Sequence, residues 1–120
     1  MSTSNKRLVK KVLEMFAENN QDKYLKYLDE NIKWNIIGMP VISGRFEFLK
    51  AVKSLELENF ISSKIKNIIS EGEYVVVEST SNKENTEKSI PAYCDIYRLI
   101  NGKIYEVTSY IVDTSSSSEC

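Results

Sequence analysis

The sequence predicts an α+β domain in which helices are segregated from a curved antiparallel sheet. Three features carry this reading. Apolar residues at helical spacing occupy the first part of the chain and return after Gly44, strict alternation takes over from Phe60, and an Asn-Gly pair separates the last two alternating runs.

Leu8, Val9, Val12, Leu13 and Phe16 recur at helical spacing with lysines and Glu14 between them, which predicts an amphipathic helix of about three turns. Asn19-Asn20 ends it. Asp22 caps a second, shorter helix with Tyr24, Leu25 and Leu28 on one face, until Asp29-Glu30-Asn31 breaks the pattern. Ile32 to Ile37, β-branched and aromatic, predicts a strand closed by Gly38 and the proline-containing loop Met39 to Gly44. A third helix follows over Arg45 to Leu57, with Phe48, Leu49, Val52 and Leu55 on a shared face.

Phe60–Ser70, Tyr74–Ser81, Ile90–Ile100 and Lys103–Val112 are strand-like. They are separated by Glu71-Gly72-Glu73, by the hydrophilic stretch Asn82 to Ser89, and by Asn101-Gly102. Asn-Gly between alternating strands predicts a hairpin, because both central residues of a type I′ turn need positive φ. These four strands are expected to form an antiparallel meander. Residues 1–6 and the serine-rich 114–120 are expected to be disordered, leaving a single domain over 7–113.

The chain has 120 residues, sixteen basic and seventeen acidic side chains, and no histidine. Without histidine there is no Ser-His-Asp or Cys-His nucleophile and no histidine-ligated metal, so proton chemistry must run on carboxylates, tyrosines, lysines or cysteine. The interspersed charges argue against a nucleic-acid surface. No apolar stretch has the length of a signal peptide core or a membrane span, so membrane association is not expected. Cys94 and Cys120 are too few for a disulfide framework, and a cytoplasmic location is expected. Lacking a histidine to activate it, Cys94 reads as an inert thiol.

Several segments carry a resemblance to a known family: Tyr27-Leu28-Asp29-Glu30-Asn31-Ile32-Lys33-Trp34-Asn35, the glycine in Ser43-Gly44-Arg45-Phe46, the hairpin from Tyr93 to Ile104, and Tyr110-Ile111-Val112-Asp113. Over residues 7–113 the chain resembles the nuclear transport factor 2-like superfamily. That fold is shared by ketosteroid isomerases, SnoaL-like polyketide cyclases, limonene epoxide hydrolases and scytalone dehydratases. The resemblance implies a conical barrel, a curved antiparallel sheet wrapped around three N-terminal helices, with an apolar pocket, a homodimer and no cofactor.

Asp95 is the leading catalytic candidate. Alternation places Tyr93, Asp95, Tyr97 and Leu99 on one face, with Cys94, Ile96, Arg98 and Ile100 on the other. An aspartate without a counter-charge in apolar surroundings has a raised pKa and can stay protonated to donate a hydrogen bond. The resemblance places Asp95 at the oxyanion-stabilising acid of ketosteroid isomerases. It places the isomerase base at Asn35, which cannot take a proton, and the helix-one tyrosine near Phe16, which has no hydroxyl. A standard ketosteroid isomerase mechanism is therefore not expected.

Asp113, at the end of the last strand, reads either as a second catalytic proton carrier or as a solvated strand end. Trp34, Asn35, Tyr93 and Tyr97 are the substrate-binding candidates, with Trp34 and Asn35 pointing to opposite faces of a regular strand. No metal site is expected. Two functions follow: a cofactor-independent enzyme moving a proton on an apolar carbonyl or polycyclic molecule, or a non-catalytic binding module of the same shape. Val76, Cys94 and Ile96 on the outward sheet face agree with the implied homodimer.

Overall fold

A first helix, α1, runs from Ser2 to Ala17 in a computed structural model that describes residues 2–18, 21–54, 63–81 and 92–112. Val9 and Val12 are fully buried, and Leu8, Leu13, Met15 and Phe16 pack beside them, as the amphipathic spacing requires. The helix begins five residues before the expected domain boundary, so residues 2–6 are helical and not disordered. Part of the reason is a tie across the fold: Asn5 Nδ2 donates to the carbonyl of Gly72 at 3.1 Å. The serine-rich 114–120 lies outside the described residues.

The second helical segment is shorter than expected, α2 over Gln21–Tyr24 running into a 3-10 turn, Leu25–Tyr27. Tyr24 is buried edge-on against Phe16, with ring centres 4.5 Å apart. Leu28 does not finish a helix; it opens the strand β1, Leu28–Ile36. The polar trio expected to break the pattern instead forms an irregularity inside β1. Asp29 Oδ1 accepts from the Asn31 N–H at 2.8 Å, and the register with the neighbouring strand shifts between Leu28 and Lys33. Part of the expected loop is a two-residue strand, β2 (Ile42–Ser43), paired antiparallel to Lys33 and Trp34.

Helix α3, Arg45–Ser54, starts at Gly44, whose φ of 95° suits only glycine. The Gly44 N–H donates to the Ile32 carbonyl at 2.8 Å, and the Gly44 carbonyl accepts from Phe48 N at 2.9 Å, so one residue fixes α3 to β1. Phe48 and Val52 are buried, with the Phe48 ring 5.0 Å from that of Trp34. Leu55 lies outside the described residues, as does the expected strand start at Phe60.

Strands β3 (Ser63–Glu71), β4 (Tyr74–Ser81), β5 (Ala92–Ile100) and β6 (Lys103–Val112) form the expected antiparallel meander. At the β5–β6 turn Asn101 and Gly102 have φ of 52° and 76°, as a type I′ turn demands. The sheet order is β2-β1-β6-β5-β4-β3. The expected α+β arrangement of helices on a curved sheet holds; the sheet is antiparallel except that β1 pairs parallel to β6, and it is unclosed, with β2 and β3 at its edges. Register shifts at Lys66 and Tyr105 each insert one extra residue, bending and twisting the strands that carry them. The core lies between the helices and the inward face, where Val9, Val12, Phe48 and Val52 meet Trp34, Val75, Val77, Tyr97, Leu99 and Val107. Among the described residues, no helix is long and apolar enough to cross a membrane.

Candidate functional site

Strand register builds the site row by row on the inward face. Val75, Tyr97, Val107 and Trp34 form one row across β4, β5, β6 and β1, all buried. The next row is Val77, Asp95, Ser109 and Ile36. Beyond it stand Ser79, Tyr93 and Ile111, the last 56% exposed. Asp95 therefore occupies the step between the closed apolar core and a mixed row in which Ser79 is buried, Tyr93 half-buried and Ile111 exposed, and its own side chain is half-buried.

Two buried polar groups meet at this step. Trp34 Nε1 donates to Ser109 Oγ at 2.9 Å, and Ser109 is also hydrogen-bonded to Asp95. An indole N–H can only donate, so the serine oxygen is the acceptor and its own proton is available to the carboxylate. Burial pushes the Asp95 carboxyl up to about 6, against the lowering influence of the Ser109 hydroxyl. Desolvation wins because one neutral donor does not replace the hydration of a carboxylate. Burial first, and then the Asp95 charge, push up the hydroxyls of Tyr93 and, further, Tyr97. Both phenols stay protonated at neutral pH and can act as donors.

Tyr93 and Asp95 share the inward face as the alternation predicts, but Tyr97, 6% exposed, belongs to the core and not to a reachable surface. Trp34 is likewise a core residue, 5% exposed, walled by Phe48. Asn35 is not brought into the site. The two-residue period puts it on the other face with Lys33 and opposite Thr108. Asp113 lies outside the described residues, where the register ends at Ala92 opposite Val112. Phe16, which the resemblance set near the isomerase tyrosine, packs between Tyr24 and Phe48.

Cys94 faces outward between Glu78 and Tyr110, its thiol pushed up by burial and then by the Asp95 and Glu78 charges. Among the described residues, no three Asp, Glu or Cys side chains gather in a way that could hold a metal ion. Sequence reasoning missed Ser109. Counting back from the Asn101-Gly102 turn sets Thr108 opposite Asp95; the extra residue at Tyr105 moves Ser109 there instead. The insertion shows in the structure as the burial of both Ile104 and Val107, which a strict two-residue period would put on opposite faces.

Comparison by sequence with characterised proteins finds no match. The fold, however, recurs widely. An NTF2-like protein of unknown function from Cytophaga hutchinsonii is 22% identical, with a TM-score of 0.69 over 89% of this chain and 98% of that one. A putative ketosteroid isomerase from Kribbella flavida gives 11% identity and a TM-score of 0.76 over 92% and 79% of the two chains. An LEH-like epoxide hydrolase from M. tuberculosis gives 16% and 0.72 over 92% and 84%. These likenesses establish the fold alone. Residues 9–107 match the SnoaL-like domain family. The match runs from within α1 to the middle of β6 and includes both Trp34 and Asp95, and the chain belongs to the SnoaL-like domain family.

Proposed function

We propose that this protein is a cofactor-independent enzyme that moves a proton on an apolar carbonyl or polycyclic small molecule, as an isomerase, cyclase or dehydratase does, with Asp95 as the proton carrier. One observation carries this reading: a carboxyl at the boundary of the apolar core, its pKa raised by burial to about 6, so that near neutral pH it can both hold and release a proton. Tyr93, half-buried one row beyond Asp95, orients the bound molecule through its phenol. Val77 and Ile36 give the apolar wall. The putative isomerase and the epoxide hydrolase of the same fold support small-molecule chemistry as the class of activity.

A second reading, a non-catalytic binding module, draws support from the side chains filling the inward face: Phe16, Phe48 and Trp34 pack ring to ring where a substrate would need room. A panel of aryl and polycyclic ketones, screened by thermal shift and by absorbance-detected turnover, separates the two. The enzyme reading predicts that some ketones both stabilise the protein and are converted, with conversion lost in Asp95→Asn and Asp95→Ala. Binding that is unaccompanied by turnover, or turnover that survives both substitutions, would contradict it.

The working form is a homodimer in the cytoplasm. Its support is an apolar row, Ile69, Val76 and Ile96, aligned across β3, β4 and β5 on the outward face, with Ile69 63% exposed. The free thiol of Cys94 suits a reducing compartment. Light scattering should return twice the chain mass; a single species of 13.8 kDa would exclude the dimer.

A further inference from the structure

We propose that Ser109 and Trp34 are positioning residues for Asp95, a buried relay in which the indole N–H holds the serine oxygen and the serine hydroxyl holds one oxygen of the carboxyl. The inference rests on Asp95 being the working group of the site, but its test needs no substrate.

The direction of the relay follows from what each group can do. Trp34 Nε1 has a proton and no lone pair to accept with, and it lies 2.9 Å from Ser109 Oγ. With that oxygen accepting, the single serine proton is directed to Asp95, to which Ser109 is hydrogen-bonded. One carboxyl oxygen is then engaged, and the Asp95 proton resides on the other, the oxygen left for a bound molecule. The far end of the relay is anchored in the aromatic core. Trp34 packs on Phe48 at 5.0 Å, Phe48 on Phe16 at 6.5 Å, and Phe16 on Tyr24 at 4.5 Å, which joins β1 to all three helices.

Among the described residues, the groups packed around Asp95 carry no charge. Val77 of β4 and Ser109 of β6 flank Asp95, Tyr93 and Tyr97 stand beside it on β5, and β1 adds Ile36. α1 and α3 present Val9, Val12, Phe48 and Val52 to the core, and α2 presents Tyr24. The carboxylate Glu78 and the thiol Cys94 lie on the outward face. Among the described residues, burial and Ser109 are what set the proton affinity of Asp95.

Trp34 is the only tryptophan, so its fluorescence reports one end of the relay while the carboxyl-carbon NMR signal of Asp95 reports the other. In the unmodified protein both should titrate together with a midpoint near 6. Asp95→Asn should abolish the fluorescence titration. Ser109→Ala should raise the Asp95 midpoint by about 1 pH unit and leave the fluorescence flat, and Ser109→Thr, which keeps the hydroxyl, should restore both. Trp34→Phe, read by NMR alone, should raise the midpoint by less and covers the case in which Ser109→Ala fails to fold. An unchanged Asp95 midpoint in Ser109→Ala, or in Trp34→Phe where that variant stands in, would overturn the relay, as would fluorescence that still follows pH without the serine hydroxyl. Intact titrations alongside a silent ketone panel would leave the relay standing and remove the enzymatic reading.

Discussion

Two opposing influences meet at Asp95. Burial favours the neutral acid, the Ser109 hydroxyl favours the carboxylate, and burial prevails with a pKa of about 6. A proton carrier in a chain without histidine needs such a balance, since an exposed aspartate is ionised throughout the neutral range. The facing of Asp95 and Tyr93 was legible because a regular strand has a period of two, and the same rule separated Trp34 from Asn35. That rule also removes Asn35 from the site it was expected to serve. Ser109 was not legible, because its place opposite Asp95 depends on one inserted residue at Tyr105, and nothing in the local composition marks the insertion.

At the scale of elements, the tight turns carry the information that strands alone lack. Asn101 and Gly102 both adopt positive φ, so the β5–β6 turn and the start of its register could be read directly from two residue types. An added Cβ at Gly102 meets nothing within 4 Å, so the cost of substitution is purely conformational. Gly102→Ala should therefore destabilise the protein by about 1–2 kcal/mol in chemical denaturation, with no change in the Asp95 titration. A loss much larger than this would point to a packing role that the open space denies. Elements fixed by distant partners were harder to read. β2 exists because Ile42 and Ser43 pair with β1, and α1 extends to Ser2, where Asn5 reaches the Gly72 carbonyl. In both cases the stabilising contact is far along the chain or lies in backbone bonds that no residue pattern announces.

For the whole molecule, the α+β class and the meander were legible from the change of period, while the parallel β1–β6 pairing was not. That pair joins the first strand to the last across α3 and four intervening strands, and it is what brings Trp34 to Ser109 and completes the relay. Global stability should carry the imprint of this site. Between about pH 4 and pH 6 the folded chain keeps a proton on Asp95 that the unfolded chain has released, so stability falls as pH rises through this window. A rise from 3.8 to about 6 corresponds to a loss of about 3 kcal/mol, complete above the folded-state pKa. Asp95→Asn, which cannot ionise, lacks this loss. The most direct test of the account is the unfolding free energy of the wild-type and Asp95→Asn proteins from pH 3 to pH 8 at one chain concentration. The wild type should lose about 3 kcal/mol relative to the variant between pH 4 and pH 6 and nothing further above it. A difference that stays flat, or that favours the wild type as pH rises, would contradict a desolvated Asp95 and with it the proposed proton carrier.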